Sequence, residues 1–302
     1  MYKWAGSTKP SFNSRTKKEN PRVCAITLLS LAFSDTLIDM RIIKVGAKVF
    51  ITLFSIGLLI LWTYLQTLPI KTAQINFYFN IGVGFVYLIT GLIALNYTSR
   101  DIKKPMKNFL SIYGIGLISW GIASFIWGYY NLVSHMEIPY PSFADYFFIL
   151  YSFLMGASFW FYFDIFKTKI NRASLRDSFF IVSTIYFFIC FVLYKPSYEI
   201  TAPWLEIVFN YLYPLLDATI LSLAIIALRI EENKNVSSTL TLVVAVLSQV
   251  IGDIVFSFRM NNNSYWNGDI SDLFFLISAI FYFISILRIN KDFIHLLKPN
   301  SK

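Results

Sequence analysis

Long apolar runs, each closed by a polar or charged gap, give this chain its period. They cover residues near 46–66, 76–97, 109–133, 143–165, 177–195, 204–228, 237–258 and 270–288. Each is close to the roughly 20 residues that carry a helix through a hydrocarbon core. Polarity does not alternate within the runs, so a transmembrane barrel is excluded. Helices are the other way for a backbone to satisfy its own amides and carbonyls in lipid. The pattern predicts an all-α membrane protein, an eight-helix transmembrane bundle whose surroundings are the lipid bilayer.

Composition agrees. Hydrophobic residues make up 56% of the chain and charged residues 14%, whereas soluble domains carry about 25% charged residues. The placement of the cations adds an orientation. Lys71, Lys195 and Arg259 fall in one set of alternate gaps, and the remaining 23 of the 26 lysines and arginines fall in the other set and at the two ends. By the positive-inside rule both termini are cytoplasmic in a multi-pass protein of the cell membrane. An even number of spans agrees with that. The net charge of +9 then reflects cations dispersed at cytoplasmic helix ends, where they meet anionic headgroups, and no nucleic-acid partner is expected. Cys24 lies in a basic leader and Cys190 inside a span. They have neither disulfide nor metal-ligand spacing, and no cofactor is expected.

Residues 1–44 form the basic leader. Lys17, Lys18 and Arg22 ahead of the apolar run 23–33 have the outline of a signal peptide. Cleavage there would strand Arg41, Lys44 and Lys48 outside, against the charge pattern downstream. The other readings are an interfacial helix, an unstructured leader, or translation that starts at Met40. Beyond the leader the chain divides into a first half at 45–165, a second half at 166–288 and a short cytoplasmic tail at 289–302.

The two halves resemble each other. Pro141-Ser142-Phe143-Ala144-Asp145-Tyr146-Phe147-Phe148 before the fourth run matches Gly268-Asp269-Ile270-Ser271-Asp272-Leu273-Phe274-Phe275 before the eighth, at an offset of 127. Phe79-Asn80 matches Phe209-Asn210 at 130, and the region of Gly121 matches that of Gly252 at 131. Three matches in order suggest duplication of a four-helix unit, and chance in a chain rich in Phe, Ile and Leu is the competing account. An even unit gives a parallel 4+4 repeat, an arrangement that places a site between the halves.

Acids inside the runs call for a reason. A carboxylate at the centre of a membrane helix costs about 2.5–3.5 kcal/mol on an insertion scale, so it faces a polar cavity, a partner or a function. Asp145, Asp253 and Asp272 share the outer third of the predicted bundle, with Glu206 at the outer start of the sixth run. Asp217 lies deeper, by roughly 16–20 Å at 1.5 Å per residue. Asp145 and Asp272 have a second reading, because a carboxylate in a first turn is stabilised by the helix dipole and Ser142 and Asp269 stand at capping positions. Tyr211-Leu212-Tyr213-Pro214-Leu215-Leu216-Asp217 sets a proline one turn before an acid. That proline frees the carbonyl of Asn210 and makes the segment a candidate pocket wall, or simply a packing kink. The candidate ligand- or ion-binding residues are Asp217, Asp253, Asp145, Asp272, Tyr213, Glu206 and Tyr140, in an outward-facing pocket between the fourth, sixth, seventh and eighth spans.

His135 and Glu137 lie in the short outer loop above Asp145. With the carboxylates they could form an oxygen and imidazole site, although their spacing matches no metal motif and no metal is assigned. Trp127, Tyr129, Tyr130, Tyr140, Trp204, Tyr265 and Trp266 read first as an interfacial belt, and Asn262-Asn263-Ser264 is a sequon.

Pro-Ser-x-Ala-Asp at 141–145, Leu175-Arg176-Asp177, Tyr213-Pro214-Leu215-Leu216-Asp217, Gly252-Asp253 and the segment 265–272 together resemble the membrane-sensor regions found ahead of diguanylate cyclase, phosphodiesterase and histidine kinase domains in prokaryotes. The resemblance implies helices that perceive a signal and pass it to a cytoplasmic output. Only residues 289–302 follow the last run, so the expectation is a separate cytoplasmic or membrane signalling partner. The function expected is a ligand- or ion-responsive sensory module for an unidentified small ligand or cation, with a small secondary transporter coupled to protons or cations as the alternative. An enzyme is not expected: His-Glu-x-x-His is absent, the only histidines are His135 and His295, and no Ser or Cys has a base within motif reach. None of the runs has a lysine near its centre, which disfavours a retinal protein.

Overall fold

The computed structural model describes residues 46–69, 71, 74–99, 102–134, 140–165, 172–193, 203–230 and 236–292, and among them there are helices and turns but no strand. In chain order the helices are α1 (Gly46–Thr67), α2 (Gln74–Thr98), α3 (Lys104–Tyr129), α4 (Phe143–Ile165), α5 (Arg172–Leu193), α6 (Trp204–Ile230), α7 (Val236–Asn261) and α8 (Ile270–Asp292). The chain divides into two units after Thr52. The described part of the first is the opening of α1, and the second, Leu53–Lys302, holds everything discussed below. The leader and most of the tail, with His135, Glu137 and Lys195, lie outside the described residues.

Seven helices, all but α5, are long and apolar enough to cross a membrane, as a polytopic helical membrane protein requires. The charged first turns of α5, with Arg172, Arg176 and Asp177, leave the shorter apolar stretch Phe180–Leu193. The exposed and buried faces are inverted relative to a soluble domain. Phe191, Phe187, Trp160 and Ile60 are exposed, while Asn76, Thr90, Ser158, Ser278, Asp145 and Asp272 are buried. An exposed apolar face of this extent needs an apolar surrounding.

Several starts and stops are written locally. Pro105 stands in the first turn of α3, where its missing N–H costs nothing, so this helix begins five residues ahead of its apolar run. At the other end α3 passes into a π turn, Tyr130–Ser134. Two residues past the end of α7, Asn263 takes φ 50°; the Asn263 amide donates to the Met260 carbonyl at 3.0 Å and the Ser264 amide to that of Arg259 at 2.9 Å. This pair of bonds satisfies the last carbonyls of the helix. Lys71 closes α1 by donating to the carbonyls of Leu65 and Gln66, each at 3.1 Å.

The most extensive helix contacts are α2 with α3, α3 with α4 and α7 with α8; α6 lies against α4, α5 and α7, and α2 against α8. The end of α1 holds the segment before α8, since Gln66 donates to the Gly268 carbonyl at 2.9 Å and Trp62 to that of Asp269 at 3.3 Å. The starts of α2, α4, α6 and α8 and the ends of α3 and α7 meet at one end of the molecule, around a cavity.

Candidate ligand-binding site

The site is built on two helix starts. Asp145, in the first turn of α4, accepts from the Ser142 backbone N–H and the Ser142 hydroxyl, both at 2.6 Å on Oδ2. Its Oδ1 accepts from the Tyr213 hydroxyl of α6 at 2.8 Å. In the first turn of α8, Asp272 Oδ2 accepts from the Gly268 backbone N–H at 2.6 Å, and the Tyr265 hydroxyl lies 3.2–3.3 Å from both oxygens. Each carboxylate thus satisfies a free amide at a helix start and holds a tyrosine. Pro141, 127 residues before Gly268, has no N–H, and in the first turn of α4 the next amide, that of Ser142, is the donor. These two acids cap their helices and also line the cavity.

A polar network closes the rim. The indole N–H of Trp127 donates to Asn267 Oδ1 at 3.1 Å, and Asn80 Nδ2 donates to the same oxygen at 2.7 Å. Across the rim the Tyr140 hydroxyl donates to Asn210 Oδ1 at 2.8 Å. Arg259, in the last turn of α7, pairs with Asp269 at 3.4 Å. Both rim phenols are pushed up from their ordinary range: Tyr140 by desolvation and then by the Asp145 and Glu206 carboxylates, Tyr265 by burial and then by the Asp272 carboxylate.

The cavity has a volume of about 370 Å³. Four acids line it, Asp145, Glu206, Asp253 and Asp272, together with Trp120, Trp127, Phe148, Phe256 and Phe275 and the phenols of Tyr140, Tyr213 and Tyr265. Among the described lining residues there is no lysine or arginine. Asp253 Oδ2 accepts from Gln249 Nε2 at 3.1 Å, and Gln249 Oε1 accepts from the Tyr87 hydroxyl at 2.6 Å. Beneath lies a column of buried phenols: Tyr151 and Tyr282 share a hydrogen bond of 2.7 Å, Tyr113 bonds Ser285 at 2.9 Å, and the rings of Tyr87 and Tyr282 are 6.0 Å apart.

Six of the seven residues singled out in the sequence line this one cavity: Asp253, Asp145, Asp272, Tyr213, Glu206 and Tyr140. Asp217 does not. It lies one helical turn beyond Tyr213, buried, within electrostatic range of Asp253 and Tyr282. No hydrogen bond reaches its carboxyl among the described residues. The walls supplied by α2 and α3, with Asn80, Trp120, Ser124 and Trp127, were not anticipated, and in a chain with 30 Phe and 19 Tyr no aromatic residue stands out. Trp127 and Tyr265 bond within the site, whereas Trp204 and Tyr129 are exposed as a belt requires. Among the described residues no cluster of three or more His, Cys, Asp or Glu could hold a metal ion.

No protein-family model, no curated protein and no solved structure matches the chain.

Proposed function

We propose that this chain is an eight-span sensory module of the cell membrane that binds a small ligand or ion in an outward-facing cavity and reports its occupancy to a cytoplasmic or membrane partner. The observation that carries the reading is the cavity itself, with four carboxylates, aromatic walls and no lining cation. The size falls within the 300–1,000 Å³ of small-molecule sites. The cavity opens among the helix ends that the positive-inside rule assigns to the outside, which argues for cytoplasmic termini.

The parallel repeat is supported by a pair of hydrogen bonds. Asn80 of α2 bonds Asn267, five residues before Asp272, and Asn210 of α6 bonds Tyr140, five residues before Asp145. An offset of 127 to 130 exchanges one bond for the other. The same operation exchanges the α2–α8 contact with α6–α4. The resemblance to prokaryotic sensor regions points the same way.

The test is thermal stability of the purified full chain against a metabolite library, with Ser257→Phe to fill the cavity. A ligand at 100 times its Kd stabilises the fold by about 2.7 kcal/mol. Compounds that raise the melting temperature of the wild type but not of Ser257→Phe are expected; a library that stabilises neither sinks the reading. One observation favours the transporter alternative, namely the buried Asp217 with no hydrogen bond beneath the cavity. Flux into proteoliposomes that Asp217→Asn abolishes would establish it in place of sensing.

A further inference from the structure

We propose that the cavity takes an organic ammonium ion, with the charged nitrogen held at Asp253. This rests on the reading of the cavity as a binding site and names the class of its ligand.

The carboxylates are not equivalent. Both oxygens of Asp145 and both of Asp272 are occupied by backbone amides and tyrosine hydroxyls. Asp253 has one bond, from Gln249 to Oδ2, and no hydrogen bond reaches its Oδ1 among the described residues. Glu206 is also without a hydrogen bond among the described residues, but it stands in the first turn of α6 near the rim phenol Tyr140. Asp253 lines the cavity deeper along α7 and is therefore the free acid among the aromatic walls.

Asn80 belongs to the rim, and its orientation follows from its neighbours. The indole N–H of Trp127 can only donate, so the atom of Asn267 that it meets at 3.1 Å is the oxygen. Asn80 approaches that same oxygen at 2.7 Å and must present its NH₂. Its Oδ1 is left without a partner but has almost no accessible surface, so it stands behind the wall and the cavity is left with Asp253 as anchor.

The walls suit a cation with a carbon body. Trp120 lies 5.5 Å from Phe148 and 5.7 Å from Phe275, and Phe256 lies 4.7 Å from Tyr265, centroid to centroid. Ring faces attract ammonium groups, more strongly when both are desolvated. A metal ion would need several ligands on one centre, and among the described residues no three His, Cys, Asp or Glu come together to hold one. An anion would meet four carboxylates and no lysine or arginine.

The experiment compares 2-phenylethylamine with 2-phenylethanol, cyclohexylmethylamine with cyclohexylmethanol, and both pairs with 3-phenylpropionate and calcium chloride. It reads melting temperature and binding on the purified full chain at pH 7. Each amine is expected to bind at least tenfold more tightly than its alcohol, with no binding of the carboxylate or calcium. Asp253→Asn should remove that preference. The amine-to-alcohol ratio is measured on the wild type, so it stands even if the variant fails to fold. Equal binding of amine and alcohol, binding of calcium or 3-phenylpropionate instead, or binding only of uncharged or anionic compounds from the metabolite library overturns the ammonium class and leaves the cavity as a site. Amine binding unchanged in Asp253→Asn overturns the anchor. Silence from these probes and from the whole library removes the site along with its ligand.

Discussion

The pairs α2–α3 and α6–α7 hold corresponding places in the proposed repeat and are joined by different means. Between α2 and α3, Gly84 faces Gly121 and Gly91 faces Gly114, seven residues apart on each helix. A Cβ on Gly91 would lie 2.5 Å from the Gly114 carbonyl oxygen, and one on Gly121 would lie 2.8 Å from that of Gly84. Tyr87 stacks on Trp120 at 3.8 Å, and the Ser124 hydroxyl donates to the Asn80 carbonyl at 2.9 Å. Helix α6 contains no glycine, and Gly252 of α7 faces Phe275 of α8 instead. Lipid provides no hydrophobic drive between helices, so close backbone approach is a main source of their association. The first pair is a fixed wall, and α6 is attached by side chains, through Tyr213 to Asp145 and Asn210 to Tyr140.

The comparison can be broken most directly at Gly91. Gly91→Leu drives a side chain into the α3 backbone, and a loss of more than about 3 kcal/mol is expected. Pro214→Ala, in the middle of α6, should change stability by less than about 1 kcal/mol; equal losses in thermal melts would erase the contrast. Next in size are the two caps. Asp272→Asn and Asp145→Asn each weaken the hold on a buried amide, with an expected cost of about 1–3 kcal/mol. The smallest effect sharpens the comparison most. Tyr213→Phe and Tyr265→Phe each remove one phenol bond, worth about 1 kcal/mol, but only Tyr213 ties α6 to α4. Hydrogen exchange should rise along α6 in Tyr213→Phe and stay unchanged there in Tyr265→Phe.

The helical class was legible because apolar run length is a direct readout of what a membrane demands. The early start of α3 was not, since it depends on Pro105 and not on hydropathy. The shortfall of α5 also lies in particular residues, because Arg172, Arg176 and Asp177 belong to the helix but not to its apolar stretch. Carboxylates stand out in such a chain, and six of the seven named residues therefore meet at one cavity. What escaped was rotation. Whether Asp217 faces the cavity or the space beneath it depends on how α6 turns about its axis, which the length of an apolar run does not specify. Asn80 escaped because an amide becomes an orphan only when Trp127 and Asn267 have claimed its neighbours.

Two of the seven tryptophans, Trp120 and Trp127, line the cavity. Trp120 is stacked on the buried Tyr87, and Trp127 donates into the rim. Indole emission responds to the polarity and charge at its ring, so a ligand at the proposed site would change the colour and brightness of the protein's own fluorescence. The two indoles would thus serve as an optical gauge of the proposed site, readable without any label.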